Sequence, residues 1–128
     1  VGRAIGPLAN EGVLIVASGS FTHDLSSWRG QAGMAEPEWV TAFAGWFDAA
    51  LSEGRTCDLL AYRRLAPHAR RNHPTEEHLL PLFVALGAAG AHAPVQQLHA
   101  SNTYGVLRMD AYAFGNANNS TTHEGSQS

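Results

Sequence analysis

A chain of 128 residues, 45% hydrophobic and 15% charged, has the composition of one ordinary globular domain with a single core, not of a disordered or fibrous protein. Eight basic residues against eleven acidic ones leave a formal charge of −3, so there is no basic field for phosphate backbones and nucleic-acid binding is not expected. All eight basic residues are Arg, which fits a bias of the encoding genome and equally suits carboxylate or phosphate recognition through the planar guanidinium fork.

The chain starts on Val1 inside what reads as a helix already under way, Val1 to Ala9, which raises the expectation of a missing N-terminal portion. Val13-Leu-Ile-Val16 is an apolar run rich in β-branched side chains between Gly12 and Gly19, and it predicts a strand covered on both faces. Ser18-Gly-Ser20 then turns the chain outward and delivers His23 to the rim of a sheet, where open α/β folds place their ligands. From Pro37 the period becomes helical. Trp39, Phe43, Trp46, Phe47, Ala50 and Leu51 share a face, Pro37 suits the first turn, and Gly54 lies just past the end. This is a core helix with three large aromatics inward plus Trp46.

A shorter helix is expected from Cys57 to Leu65, burying Leu59, Leu60 and Tyr62 and ending before Pro67. Cys57 stands alone, which excludes an intrachain disulfide and a cysteine zinc knuckle; it reads as a small buried hydrophobe in a reducing compartment. Arg63, Arg64, Arg70 and Arg71 follow, a cluster able to grip an acidic partner but more often solvated or set against a helix dipole. Thr75 suits an N-cap, Glu76 and Glu77 a first turn, and Leu79, Leu82, Phe83 and Leu86 an apolar face ending at Gly87. His78 would therefore open this helix, with Pro81 kinking its start.

Residues 87–100 read as a loop, and Ser101 to Phe114 as a strand or hairpin around Gly105, pairing with the first strand's sheet. Residues 116–128 hold no apolar side chain larger than Ala and read as a disordered tail. Asn118 and Asn119 formally head glycosylation sequons, which mean little without a secretory leader. No segment reaches the roughly 18 to 20 continuous apolar residues of a membrane helix. The expected location is cytoplasmic, with no membrane partner.

Seven histidines invite a metal reading, and spacing discriminates among them. His68, His73 and His78 are five apart, so on one helix each would turn about 140° from the last and they could not share a face. Pro67 and Pro74 interrupt the stretch, leaving His68 and His73 as surface or turn residues, while His92, His99 and His123 lie in loop or tail. Serine catalysis has little support, because Ala17-Ser-Gly-Ser-Phe21 lacks the flanking glycines of a nucleophile elbow; Ser18 and Ser20 read as satisfying turn backbone. The same arguments disfavour a zinc hydrolase. His23 and His78 remain as half of a metal site.

Four segments carry a resemblance: Glu11 to Leu25, Tyr62 to Arg70, His73 to Gly90, and Tyr104 to Phe114. Together, in order, they resemble the C-terminal half of the class III extradiol ring-cleavage dioxygenases, in the 4,5-DOPA dioxygenase-like branch of the LigB-type family. The resemblance implies an α/β fold, three-layer α/β/α with a mixed sheet, of which residues 1–115 would be the C-terminal half. It implies extradiol cleavage of a catechol such as a DOPA-like compound by O₂ at a mononuclear metal. His23 matches the acid/base histidine beside the metal, sometimes counted as a ligand in zinc-loaded members, and His78 matches the third metal ligand.

Iron(II) is the cofactor this chemistry implies, since a redox-active metal with open positions admits both substrate and O₂; zinc(II) would fill the same nitrogen site without passing electrons. Two metal histidines of the family's N-terminal half have no counterpart here. The partners implied are therefore a catechol, O₂ and that missing half, and an oligomer is compatible with the reading. The alternative is a non-catalytic or inactive member that binds a ligand or metal in the equivalent cleft, because one fold hosts several functions.

Overall fold

The computed structural model describes residues 1–30 and 33–115. The expected tail, its two sequons and His123 lie outside the described residues.

Helix α1 (Gly2–Ile5) runs into a 3₁₀ turn over Gly6–Glu11 that ends on Gly12 in the left-handed region, φ 83°. Gly2 lies directly on the carbonyl of Val84, where a Cβ would collide, so its lack of a side chain sets how closely α1 approaches the last helix. Helix α2 (Glu38–Ser52) is the longest element and follows the sequence expectation closely. Pro37 precedes its first turn, Gly54 beyond it has φ 67°, and Trp39, Phe43 and Phe47 are buried with Trp46 half-buried.

The helix expected over 57–65 is two short pieces, α3 (Thr56–Leu60) and α4 (Tyr62–Leu65), broken at Ala61. The break rotates the faces, so Leu59 and Tyr62 are buried while Leu60 and Cys57 are exposed, contrary to the expectation for both. A single turn, α5 (Ala69–Asn72), follows His68, whose φ is 54°.

Helix α6 (Leu80–Ala89) begins later than Thr75 and runs past Gly87 to a cap at Gly90. The reason is Pro81. Proline belongs in a first turn, where its missing N–H has no partner to lose, so the helix starts around it and is not kinked by it. Residues 74–79 are turns, and His78 sits two residues ahead of the helix.

The segment expected to be a loop, 87–100, contains a strand. β1 (Val95–His99) pairs antiparallel with β4 (Ala111–Phe114), with a register shift between Gln97 and His99. β2 (Asn102–Thr103) and β3 (Leu107–Arg108) form a small hairpin turned by Tyr104 and Gly105, both at positive φ. Helices and sheet together are of the expected α/β kind. The strand expected at Val13–Val16 does not form, and Ser101 to Phe114 does not pair with it. Among the described residues no backbone hydrogen bond reaches Leu14 to Gly19, and Leu14 and Val16 are 84% and 77% exposed. A strand exists only by its neighbour.

The core surrounds α2. Phe43, Phe47 and Leu51 meet Leu59, Tyr62, Leu79 and Phe21, with α6 and the β1–β4 pair packed against them. Phe21 and Phe47 meet edge to face at 5.6 Å, and Phe47 meets Tyr62 at 5.7 Å. Phe21 thus ties the segment leading to His23 into this core.

Candidate functional site

Two backbone hydrogen bonds and one from a side chain bring two distant segments together. Ser20 N–H donates to His78 O at 2.9 Å, His23 N–H donates to Asn72 O at 2.8 Å, and His73 Nε2–H donates to Phe21 O at 2.7 Å. Gly19 makes the approach feasible, because any Cβ there would overlap the carbonyl oxygen of His78. Ser20 Oγ donates to Thr22 O, and Thr22 Oγ1 donates to Val106 O while accepting from Arg108 N–H, so the strip from 20 to 23 is also held from the β3 side.

The outcome is a pair of imidazoles. The rings of His23 and His78 stack with centroids 3.6 Å apart and planes inclined by 22°. Neither is fully buried, and Glu77 Oε1 stands 3.6 Å from His78 Nε2. His78 also borders an open cleft of about 600 Å³ between segment 13–21, α6 and β4. The two residues singled out by the sequence are thus side by side, although 55 positions apart (78 minus 23).

Beneath them lies a residue that the sequence pattern misplaces. His73, expected at the surface or in a turn, has 0% exposure. Burial pushes its pKa down, against the hydrogen bond to Phe21 O, and the neighbouring His23, His78 and Arg63 act in the same direction as burial. Arg63 Nη1 donates to His73 O at 2.9 Å, and Asn72 Nδ2 donates to the carbonyls of Trp39 and His68. Two of the four arginines of the basic cluster therefore have structural work: Arg63 here, and Arg71, whose guanidinium lies 4.2 Å from the centre of the Trp39 ring.

Asp24, next to His23, is buried and caps the 3₁₀ turn Leu25–Ser27. Burial raises its pKa, but hydrogen bonds from the Ser26 and Ser27 hydroxyls and from backbone outweigh that and leave it lowered. Its oxygens are occupied by those bonds. His68, His92 and His99 stand apart from the pair; His99 Nε2 pairs with Ser101 Oγ at 2.7 Å.

Two adjacent imidazoles with solvent access are donors suited to a borderline divalent cation. Among the described residues no group of three or more His, Cys, Asp or Glu side chains is arranged to hold a metal. The two imidazoles by themselves could make up only part of a ligand set for such a cation. No helix among the described residues is long and apolar enough to cross a membrane.

Relatives of this chain are found both by sequence and by structure. The chain is 37% identical over 114 residues to a 4,5-DOPA dioxygenase extradiol of Beta vulgaris and 39% identical over 115 residues to one of Mirabilis jalapa. Each match covers 89% of this chain, which spans only 42% and 43% of those relatives' lengths. A crystal structure of an uncharacterized protein from Escherichia coli K12 superposes with a TM-score of 0.74 at 29% identity, over 90% of this chain and 48% of that one. Residues 1–115 match the family described as the catalytic LigB subunit of aromatic ring-opening dioxygenase, and the chain belongs to that family.

Proposed function

We propose that this chain supplies half of the active site of an extradiol dioxygenase, which opens a catechol-type ring such as a DOPA-like substrate. The remaining strands and metal ligands come from the length that the relatives carry beyond the matched region. The observation that carries the reading is the stacking of His23 on His78. The stacking sets two imidazoles, each with solvent access, within reach of one bound group, so one can ligate a cation while the other faces what binds beside it.

In this reading His78 is the ligand and His23 the acid/base. An iron(II) ion, when bound, supplies electron transfer between catechol and O₂, whereas zinc(II) would take the same nitrogen and leave the redox step unsupplied. His23 takes the proton that a catechol hydroxyl loses on binding and returns one to the ring-opened product, the role an imidazole fills because its ordinary titration lies near neutral pH. The cleft beside His78, walled by Leu79, Leu82 and Tyr112, offers the apolar surface a flat aromatic ring requires.

The test uses the complete protein that contains this chain. Anaerobic iron(II) loading followed by a catechol and O₂ should give a yellow ring-opened product, and His23→Ala should lose most of that rate, by on the order of 10² to 10⁴-fold as for removal of a general acid/base. Undiminished turnover by His23→Ala, or no colour from any catechol, overturns the proposal.

A further inference from the structure

We infer that His73 is a positioning residue for His23, a neutral imidazole locked in one tautomer that fixes where the acid/base ring stands. The inference rests on the reading of His23 above and adds to it a residue outside the cleft. It starts from a hydrogen-bond count. Phe21 O can only accept, so His73 Nε2 must carry a proton at the 2.7 Å contact. His73 Nδ1 is buried without a partner. A proton there would be an unsatisfied buried donor attached to a cation, whereas a bare nitrogen leaves only an unused acceptor. The Nε2–H tautomer is therefore selected by its surroundings.

The residue is itself immobilised from three sides. Arg63 holds its carbonyl, the Phe43 ring stands 5.6 Å from its imidazole, and its predecessor Asn72 is anchored on the carbonyl of Trp39 in α2. His73 and Asn72 then grip the strip at two points two residues apart, Phe21 O and His23 N–H. A dihedral change at Thr22 is blocked as long as both grips hold, and the Thr22 hydroxyl is bonded to Val106 O besides. The position of the His23 ring against His78 thus derives from the core through His73. No other side chain joins the 72–78 segment directly to the Phe21 carbonyl among the described residues.

The experiment is imidazole NMR on the complete protein labelled with ¹⁵N-histidine, read first without any substitution. His73 should show a protonated Nε2 and a bare Nδ1 at neutral pH; the opposite tautomer overturns the inference outright. His73→Gln places a carboxamide N–H near the Nε2 position, and His73→Leu removes the donor. The leucine variant should lose the ring-current shifts that His23 and His78 impose on each other and lower kcat on the order of 10 to 100-fold with KM little changed, as for a misplaced catalytic group. The glutamine variant should restore both. Native ring-current shifts in His73→Leu, or a glutamine variant that folds yet behaves like leucine, overturn it. If His73→Leu does not fold, the tautomer and the glutamine variant still decide. Failure of the His23→Ala test would leave these spectra unaffected, so the two proposals fail separately.

Discussion

Gly19 shows how one hydrogen atom in place of a methyl group sets the site. Its Cα lies against the carbonyl of His78, and the adjacent Ser20 N–H bonds to that same oxygen. Gly19→Ala must push the turn at His78 away, since the obstructing atom is backbone and cannot rotate aside. The expected result is separation of the His23 and His78 rings, seen as loss of their mutual ring-current shifts, with a fall in turnover on the order of 10²-fold. Unchanged shifts would mean the turn yields freely. His73 supports a pH prediction of its own. Its pKa is lowered in the fold, chiefly by burial. Above about pH 6.5 the imidazole is neutral both folded and unfolded and its contribution is fully present. As pH falls below that value the unfolded chain takes up a proton that the folded chain refuses, and stability declines until the lowered folded value is passed. His73→Gln should flatten that part of the stability–pH curve in urea unfolding, whatever its effect at pH 8; an equally steep curve would refute it.

At the scale of elements, α2 is the framework, and it was also the most legible part of the sequence. Its aromatic positions repeat with one period over fifteen residues and its ends are marked by Pro37 and Gly54, so local signal and tertiary role agree. Phe47 is fully buried and touches Phe21, Phe43, Tyr62 and Phe83. Phe47→Ala should cost about 3–5 kcal/mol of unfolding free energy by cavity formation, measured by urea denaturation; a loss under about 1 kcal/mol would show that the site collapses without penalty. The elements that were not legible fail for identifiable reasons. β1 carries Gln96 and Gln97 on an exposed pair of positions, so it lacks the apolar alternation by which a strand is recognised. The start of α6 was read from Thr75 and its acidic neighbours, but Pro81 prevails because proline fits only the first turn. His23 and His78 are readable because the one closes a distinctive local run and the other lies inside a second. His73 is not, since its burial comes from α2 and Phe21, which are distant in sequence.

For the whole molecule, the informative surface is the one left uncovered. Val13-Leu-Ile-Val16 has strand composition, yet its backbone from Leu14 to Gly19 has no partner among the described residues, and an apolar cleft separates it from β4. Unpaired backbone beside exposed large apolar side chains is a surface that pairs with or adsorbs other chains. That the relatives are more than twice as long fits such a surface being covered in a complete domain. The chain in isolation should therefore bind an apolar fluorescent dye and self-associate with rising concentration. Leu14→Lys with Val16→Lys should reduce both effects, because these two side chains are the most exposed apolar groups of the segment. The same double variant should keep its far-ultraviolet circular dichroism and the His23–His78 ring-current shifts, since the core around α2 includes neither residue. Loss of helical signal instead would place this segment within the folding core. Unaltered dye binding would assign the adhesive surface elsewhere, to exposed apolar side chains outside this cleft such as Leu60 and Met109.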